Sequence, residues 1–546
     1  MAVAAPPAER ATGTGAGGHP GRTRGWALAA LLASAVVAVP LLVLPLSFLR
    51  PAGPSGRVAR DLLPQALRNS LVLGAGVAVG TLVLGTSLAV LMTYYDFPLR
   101  RQLEWALALP LAMPPYVLTF VLLAQYDAAS PLQRLLRATL GPGATLPELR
   151  SAGGAILVLT LVLYPYVYLM ARASFVAQSR GLLEAARSLG HSQLDSIRRV
   201  ALPLARPALA GGTALAVMEA LADFGAVNLL NHRTLTDAIY RLWYGAFDRR
   251  AALQLGAVLL LLVLVVLVIE RGTRRRRSVE QRGGRGDEVP RRRLTGVRGA
   301  VACALPCLLL GVVFVAPVTQ LAAWSVASVR EGTYDRSLLG NAGNSVLLAF
   351  VTAALTLTLA VVITYAVRVR PTRTRRTAAR VAAIGYAVPG SVAAAAVFLV
   401  ADRVGTWSGL ALTGTLVTLV VAYVVRFSTL TLHAVEARMT AIPQSLDAAA
   451  RSLGAGRGRV LGEVHVPLLM PGLATGMLLV FVEVLKELPA TVLLRPFGLD
   501  TLAIAVWEAT KESLYEAAAF PALCLVAVGV LPVVVLVRLT DRRTVD

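Results

Sequence analysis

AARSLG runs from Ala185 to Gly190 and returns from Ala449 to Gly454, and a proline follows each glycine at the same distance: Pro203 (203 − 190 = 13) and Pro467 (467 − 454 = 13). In a chain rich in Ala, Leu and Arg, six identical letters carry less weight than the spacing around them. The offset of 264 (449 − 185) also maps Pro207 onto Pro471, Gly212 onto Gly476 and Glu219 onto Glu483. The polypeptide holds two copies of one device.

Outward from these copies the chain is apolar. Of 546 residues, 56% are hydrophobic and 15% charged, and the mean hydropathy is +0.68. That is more apolar surface than a soluble fold of this length buries. Runs of roughly 20 apolar residues, the length a helix needs to cross hydrocarbon, recur from end to end. A transmembrane β-barrel would require short alternating segments instead. The pattern reads as an all-α membrane protein with about twelve transmembrane helices. The first is expected over 26–49 and the last over 518–537. Those between include 105–125, 208–230, 381–400 and 472–494.

A net charge of +23 with pI ≈ 11.0 raises nucleic acid as a partner, but the arginines form no basic domain interleaved with aromatics. They cluster before Trp26, at Arg100 and Arg101, from Arg180 to Arg206, from Arg271 to Arg298, from Arg368 to Arg380 and from Arg451 to Arg459. These are the ends of alternate spans. With cytoplasmic N- and C-termini, every such cluster faces inward in a bacterial inner membrane, as the positive-inside rule asks. The same basic face suits membrane lipids with anionic headgroups, at about 1 kcal/mol per Lys or Arg.

Residues 1–25, rich in Ala, Gly, Pro and Thr, are expected to be disordered. The apolar run that follows is longer than the ~7–15 residue core of a cleaved signal and reads as a retained anchor. The basic run 271–298 is expected to be a cytoplasmic linker between a first transmembrane domain, 26–270, and a second, 299–538, with 539–546 as a cytoplasmic tail. The halves also match outside the loops. LRNSLVL, Leu67 to Leu73, resembles GNAGNSVLL, Gly340 to Leu348, aligning Asn69 with Asn344 and Ser70 with Ser345 at an offset of 275 (344 − 69), which also carries Pro114 onto Pro389. Six spans separate equivalent points, so the two six-helix repeats are parallel, and a pathway most naturally runs along the pseudo-two-fold axis between them. Pro114-Pro115 and Pro389-Gly390 are expected to interrupt the third span of each half. Cys303 and Cys307 share a helix face with no His or further Cys nearby, which favours small buried residues over a metal site.

The segment 181–207 is too apolar for an ordinary connector: Leu182, Leu183, Ala185, Ala186, Leu189 and Leu194 recur at helical spacing. A short helix is expected from Gly181 to Leu189, a reversal at Gly190, where glycine adopts φ > 0, and a second helix ending before Pro203. Its small-residue face at Ala185 and Ala186, with Arg187, Arg198 and Arg199 beside it, fits a helix resting in a partner's groove. The competing reading is an amphipathic helix at the headgroups. Duplication favours the first, because two equivalent levers call for two equivalent partners.

EAARSLG with Leu202-Pro203, and DAAARSLG with Val466-Pro467, resemble the loop that permeases of ATP-binding-cassette importers carry between spans. The likeness extends over nearly the whole chain as two fused permease domains of type I fold. It implies a coupling loop at 181–207 with Glu184, Ala185, Ala186, Gly190, Leu202 and Pro203, and a second at 438–471 with Asp447, Ala449, Ala450, Gly454, Val466 and Pro467. Each would dock on one of two copies of a cytoplasmic ATPase subunit, and an extracytoplasmic solute-binding protein would deliver ligand. No cofactor is bound tightly; ATP is used by the partner subunit. In the second copy Ala448 stands where the first has Glu184, and Asp447 lies one residue earlier, so an acidic contact there is shifted. ALADFGAVNLL, Ala220 to Leu230, and VFVEVLKELPATVLLRPFGLDTLAIAVW, Val480 to Trp507, further resemble the ferric-iron branch, with thiamine and phosphonate permeases of similar build.

Two sets of charged residues lie inside expected spans. Glu219 and Asp223 are spaced i, i+4, and Glu483, Lys486 and Glu487 i, i+3, i+4, so each set is expected on one face of its helix. Ionised groups in lipid cost at least about 2.5–3.5 kcal/mol each. They should therefore face protein or a water-filled route, as a gate or pathway, or as a structural network in which Lys486 pairs with a carboxylate. Oxygen ligands suit a hard ferric ion, although no metal-ligand set can be assigned. The two lysines, Lys486 and Lys511, stand in no G-x-x-x-x-G-K-[ST] loop, and neither H-E-x-x-H nor G-x-S-x-G occurs, so the chain reads as a transport subunit and not an enzyme. An ion-coupled secondary transporter is the rival class, and it would leave the duplicated lever without a purpose.

Overall fold

The computed structural model describes residues 20–49, 56–127, 130–178, 184, 186, 188–275, 291–332, 337–383, 385 and 388–541. The first half contains α1 (Pro20–Val43), α2 (Gly56–Tyr94), α3 (Pro115–Tyr126), α4 (Ala152–Val176), α5 (Leu202–Ala222) and α6 (Arg249–Arg275). The second contains α7 (Gly296–Leu310) and α8 (Ala316–Arg330), joined by a π turn, then α9 (Ser337–Val369), α10 (Gly390–Ser408), α11 (Leu416–Ala441), α12 (Gln444–Ser452), α13 (Val466–Leu485) and α14 (Tyr515–Asp541). Among the described residues, ten helices are long and apolar enough to cross a membrane. An eleventh crossing is bent by 93° between Arg100–Ala112 and Pro115–Tyr126. The chain is an all-α membrane protein of two repeats.

Several expected boundaries move. The first helix begins at Pro20, so residues 20–25 are ordered: proline is tolerated in a first helical turn, where its missing N–H has no partner to lose. The spans expected over 105–125 and 381–400 break where Pro114 and Pro389 adopt extended backbone at the N-caps of α3 and α10. Those expected over 208–230 and 472–494 stop at Ala222 and Leu485. Most of the linker, 276–290, and residues 1–19 and 542–546 lie outside the described residues.

The halves repeat down to single hydrogen bonds. Ser70 Oγ accepts from the Leu235 N–H at 2.9 Å, and Ser345 Oγ accepts from the Leu502 N–H at 2.9 Å. Asn69 Nδ2 donates to the Arg233 carbonyl at 3.0 Å, and Asn344 Nδ2 to that of Asp500 at 3.0 Å. The Leu235 and Leu502 N–H groups are buried and need these serine partners.

The most buried spans are α4 and α11, with 67% and 72% of their apolar windows covered, against 33% for α1; they line the centre while α1 turns a face to lipid. Each half also lends its first helix to the other. α1 packs on α9 and α10, with Trp26 edge-on to Tyr365 at 4.9 Å, and Ala302 and Leu310 of α7 join Leu88, Phe97 and Tyr164 of the first half. Phe120 stacks on Trp324 and Tyr515, and Trp243 meets Phe398 edge-on at 4.9 Å. One extended hydrophobic cluster thus runs across both halves. Aromatic pairs of this kind add about 0.5–1.5 kcal/mol each beyond burial.

Candidate functional site: paired elbows and a charged inter-half cavity

The second elbow is a nine-residue helix, α12, with Asp447 in its first turn. At its end Gly454 takes φ +81 and the Ala455 N–H donates to the Ala450 carbonyl at 3.0 Å. At the first elbow Glu184, Ala186 and Ser188 are helical, Gly190 takes φ +86, and the His191 N–H donates to the Ala186 carbonyl at 3.2 Å. Gly181, Ala185 and Arg187 lie outside the described residues. Both elbows end in the same left-handed cap, which a residue with a Cβ enters only at a cost. Leu189 and Leu453, one residue before the glycines, are 80% and 87% exposed, so each elbow presents a leucine that the protein itself does not bury.

Beyond each elbow the expectation of a second helix ending before Pro203 is wrong. A π turn, Ile197–Ala201 in one half and Val460–His465 in the other, feeds directly into α5 and α13. Leu202 and Pro203, and Val466 and Pro467, occupy the first positions of those helices. Proline cannot donate to the carbonyl four residues back and its ring collides with it; widening the preceding turn removes both problems without ending the helix.

The charged residues come together, but Asp223, Lys486 and Glu487 lie past the ends of their helices. α5 ends at Ala222 and Asp223 turns extended, φ −65, ψ 135. Its Oδ1 accepts from the N–H groups of Ala226 and Val227 at 3.0 and 3.1 Å, capping the short helix Gly225–Leu229. In the other half α13 ends at Leu485, and Glu487 Oε1 accepts from the Ala490 N–H at 3.0 Å, at the start of the helix Pro489–Leu494. Asp223 and Glu487 occupy equivalent positions (487 − 223 = 264). The carboxylates are thus consumed partly in capping interrupted spans, which is how a broken helix inside a membrane satisfies its freed N–H groups.

Glu219, Asp223, Glu483, Lys486 and Glu487 line one cavity of about 90 Å³ between the halves, closed by Pro114, Tyr116, Tyr166 and Pro489. Lys486 Nζ lies 2.8 Å from Glu483 Oε1. A sixth charge, which the sequence reading passed over, completes the set. Arg426 of α11, 11% exposed, places Nη1 3.2 Å from both carboxylate oxygens of Glu487 and Nη2 3.9 Å from Glu219 Oε2, in the other half. Its approach depends on Gly390 at the start of α10, where an added Cβ would meet Arg426 Nη1 and Glu487 Oε1. The sequence signal for Arg426 was a lone arginine at the end of an apolar run. Positions matching Arg426 and Lys486 in the first half are Val162 and Ala222 (426 − 264, 486 − 264). The four acids therefore follow the repeat while both bases belong to one half. Among the described residues no three His, Cys, Asp or Glu side chains are placed to hold a metal ion.

A family profile described as "Binding-protein-dependent transport system inner membrane component" matches residues 81–278 and 357–546, once in each half. The chain is 27% identical over 487 residues to the Fe(3+)-transport system permease protein FbpB 2 of Haemophilus influenzae, covering 87% of this chain and 90% of that one. A probable molybdenum ABC transporter permease protein of Haloferax volcanii is 31% identical over 35% of this chain and 68% of its own length. The molybdate/tungstate transport system permease protein WtpB of Pyrococcus abyssi is 25% identical over 36% of this chain and 73% of its own.

Proposed function

The chain belongs to the family of binding-protein-dependent transport system inner membrane components, and from that premise we propose that it forms the whole translocation pathway of an ABC importer for ferric iron. Leu189 and Leu453 dock, one each, in two copies of a cytoplasmic ATPase subunit. ATP-driven closure of those subunits rocks the two halves about their common axis, and a solute-binding protein delivers the cargo on the opposite side. The elbows face the cytoplasm of a bacterial cell, as do both termini. Glu219, Asp223, Glu483, Lys486 and Glu487, with Arg426, form the closed gate.

The observation that carries the choice of cargo is the charge balance of the inter-half cavity: four carboxylates, two from each half, against two bases from the second half. Such a lining repels an oxyanion and attracts a cation, and its acids, spent on caps and ion pairs, bind weakly enough to release one. The two-half build supports the same reading, since the relative matched along most of its length carries Fe(3+) in its name. The test is uptake by proteoliposomes containing the chain, its ATPase and its binding protein. ATP-dependent accumulation of radiolabelled ferric iron, unaffected by excess molybdate or sulfate, is expected. Accumulation of molybdate or sulfate in its place would overturn the assignment of cargo.

A further inference from the structure

At the inner end of the second half, Asp447 of α12 is bound on two sides. Arg368, at the end of α9, brings Nε to 2.8 Å from Asp447 Oδ2 and donates through Nη1 to the Met439 carbonyl at 2.6 Å and through Nη2 to that of Pro443 at 3.1 Å. His465, fully buried at the end of the π turn, lies 2.7 Å from Asp447 Oδ1. Tyr365, one turn before Arg368, packs edge-on against His465 and donates its hydroxyl to the Arg457 carbonyl at 2.6 Å. One acidic side chain of the elbow is therefore clamped between α9 and the base of α13. Removing a partner from such a buried pair leaves an uncompensated charge, so the connection resists stretching.

The sequence of the first half differs at these places. At the positions equivalent to Arg368, Asp447 and His465 it carries Thr93 (368 − 275), Leu183 (447 − 264) and Ala201 (465 − 264). The same elbow lacks the acid of the first copy, Ala448 replacing Glu184. The second half has an acid one residue earlier together with both groups that hold it.

We propose that Asp447 is a positioning residue that fastens the second elbow to α9, so that movement of α12 is passed to the second half through this ion pair. This rests on the docking reading above. α12 and α9 then move as one body.

Spin-label distances in the assembled importer, without nucleotide and with ATP and vanadate, separate the two movements. One pair of labels sits on the elbow tips, replacing Leu189 and Leu453; the other replaces Arg101 and Arg370, at the inner ends of the halves. In the unaltered protein both distances should shift on trapping. In Asp447→Ala and Arg368→Ala the tip distance should still shift, the inner-end distance should not, and Asp447→Arg with Arg368→Asp should restore it in part. The swap guards against loss by misfolding alone. An inner-end shift that survives in both single variants would overturn the proposal, as would a swap no better than either. A tip distance that never shifts in the unaltered protein would instead overturn the docking reading, and this proposal with it.

Discussion

Arg426→Ala removes a cation that approaches acids of both halves. In the native protein Nη1 lies 3.2 Å from Glu487 and Nη2 3.9 Å from Glu219, with the side chain 11% exposed. Breaking a buried pair of this kind costs about 3–5 kcal/mol, because the remaining carboxylate loses its nearest counter-ion. The adjoining cavity, about 90 Å³ before the guanidinium is removed, has room for water at about 30 Å³ per molecule. Partial rehydration pulls the expected loss to the low end, about 3 kcal/mol. Glu487→Gln keeps an acceptor for the Ala490 N–H while removing the stranded charge. The double variant should recover about 1–2 kcal/mol of the loss, a non-additivity diagnostic of direct contact. Arg426→Lys keeps charge but not the planar fork and should fall between. The assay is reversible denaturation in mixed micelles, followed by circular dichroism. A loss below about 1 kcal/mol for Arg426→Ala, or a double variant whose losses simply add, would refute the reasoning.

Replacing Asp223 and Glu487 together by Ala should abolish most uptake while co-purification with the ATPase persists. It removes both caps of the interrupted spans, at about 1 kcal/mol each, and half the acids of the gate; normal transport by the inserted double variant would take these residues out of the pathway. Gly190→Pro should uncouple hydrolysis from transport, since proline cannot reach φ +86; an unchanged ratio of solute moved to ATP spent would count against the elbow. Ser70→Ala and Ser345→Ala should each destabilise by about 1–3 kcal/mol through the stranded N–H of Leu235 or Leu502, and by similar amounts if the repeat is energetically real. Denaturation midpoints measure both.

What was legible in the sequence was periodic or repeated. The elbows could be found because AARSLG and its downstream proline recur at fixed spacing, and the serines and asparagines of the repeat because they align at one offset. The meeting of the acids followed from the cost of charge in lipid. Their local geometry did not. Glu219 and Asp223 fit an i, i+4 face, and only the capping bonds to Ala226 and Val227 reveal that the helix has already ended. Nothing in the apolar letters around Asp223 marks that break, because the N–H groups it satisfies look alike in sequence. Arg426 was missed for a related reason. A single arginine in an expected span reads as a boundary residue until its partners, 61 positions along in Glu487 and in the other half in Glu219, are brought to it by the fold. The π turns before Pro203 and Pro467 were hidden too, since proline in a helical pattern signals an end, and a widened turn abolishes that signal.

The central claim is mechanical: two duplicated elbows receive force from separate ATP-hydrolysing subunits. Replacing Leu189 and Leu453 by Cys, in a protein otherwise lacking Cys303, Cys307 and Cys524, and cross-linking to the ATPase in the membrane tests it most directly. Both positions should capture the ATPase and should react only with reagents supplied from the cytoplasmic side. Elbows labelled from outside the cell, or two positions that never capture the ATPase, would contradict the account.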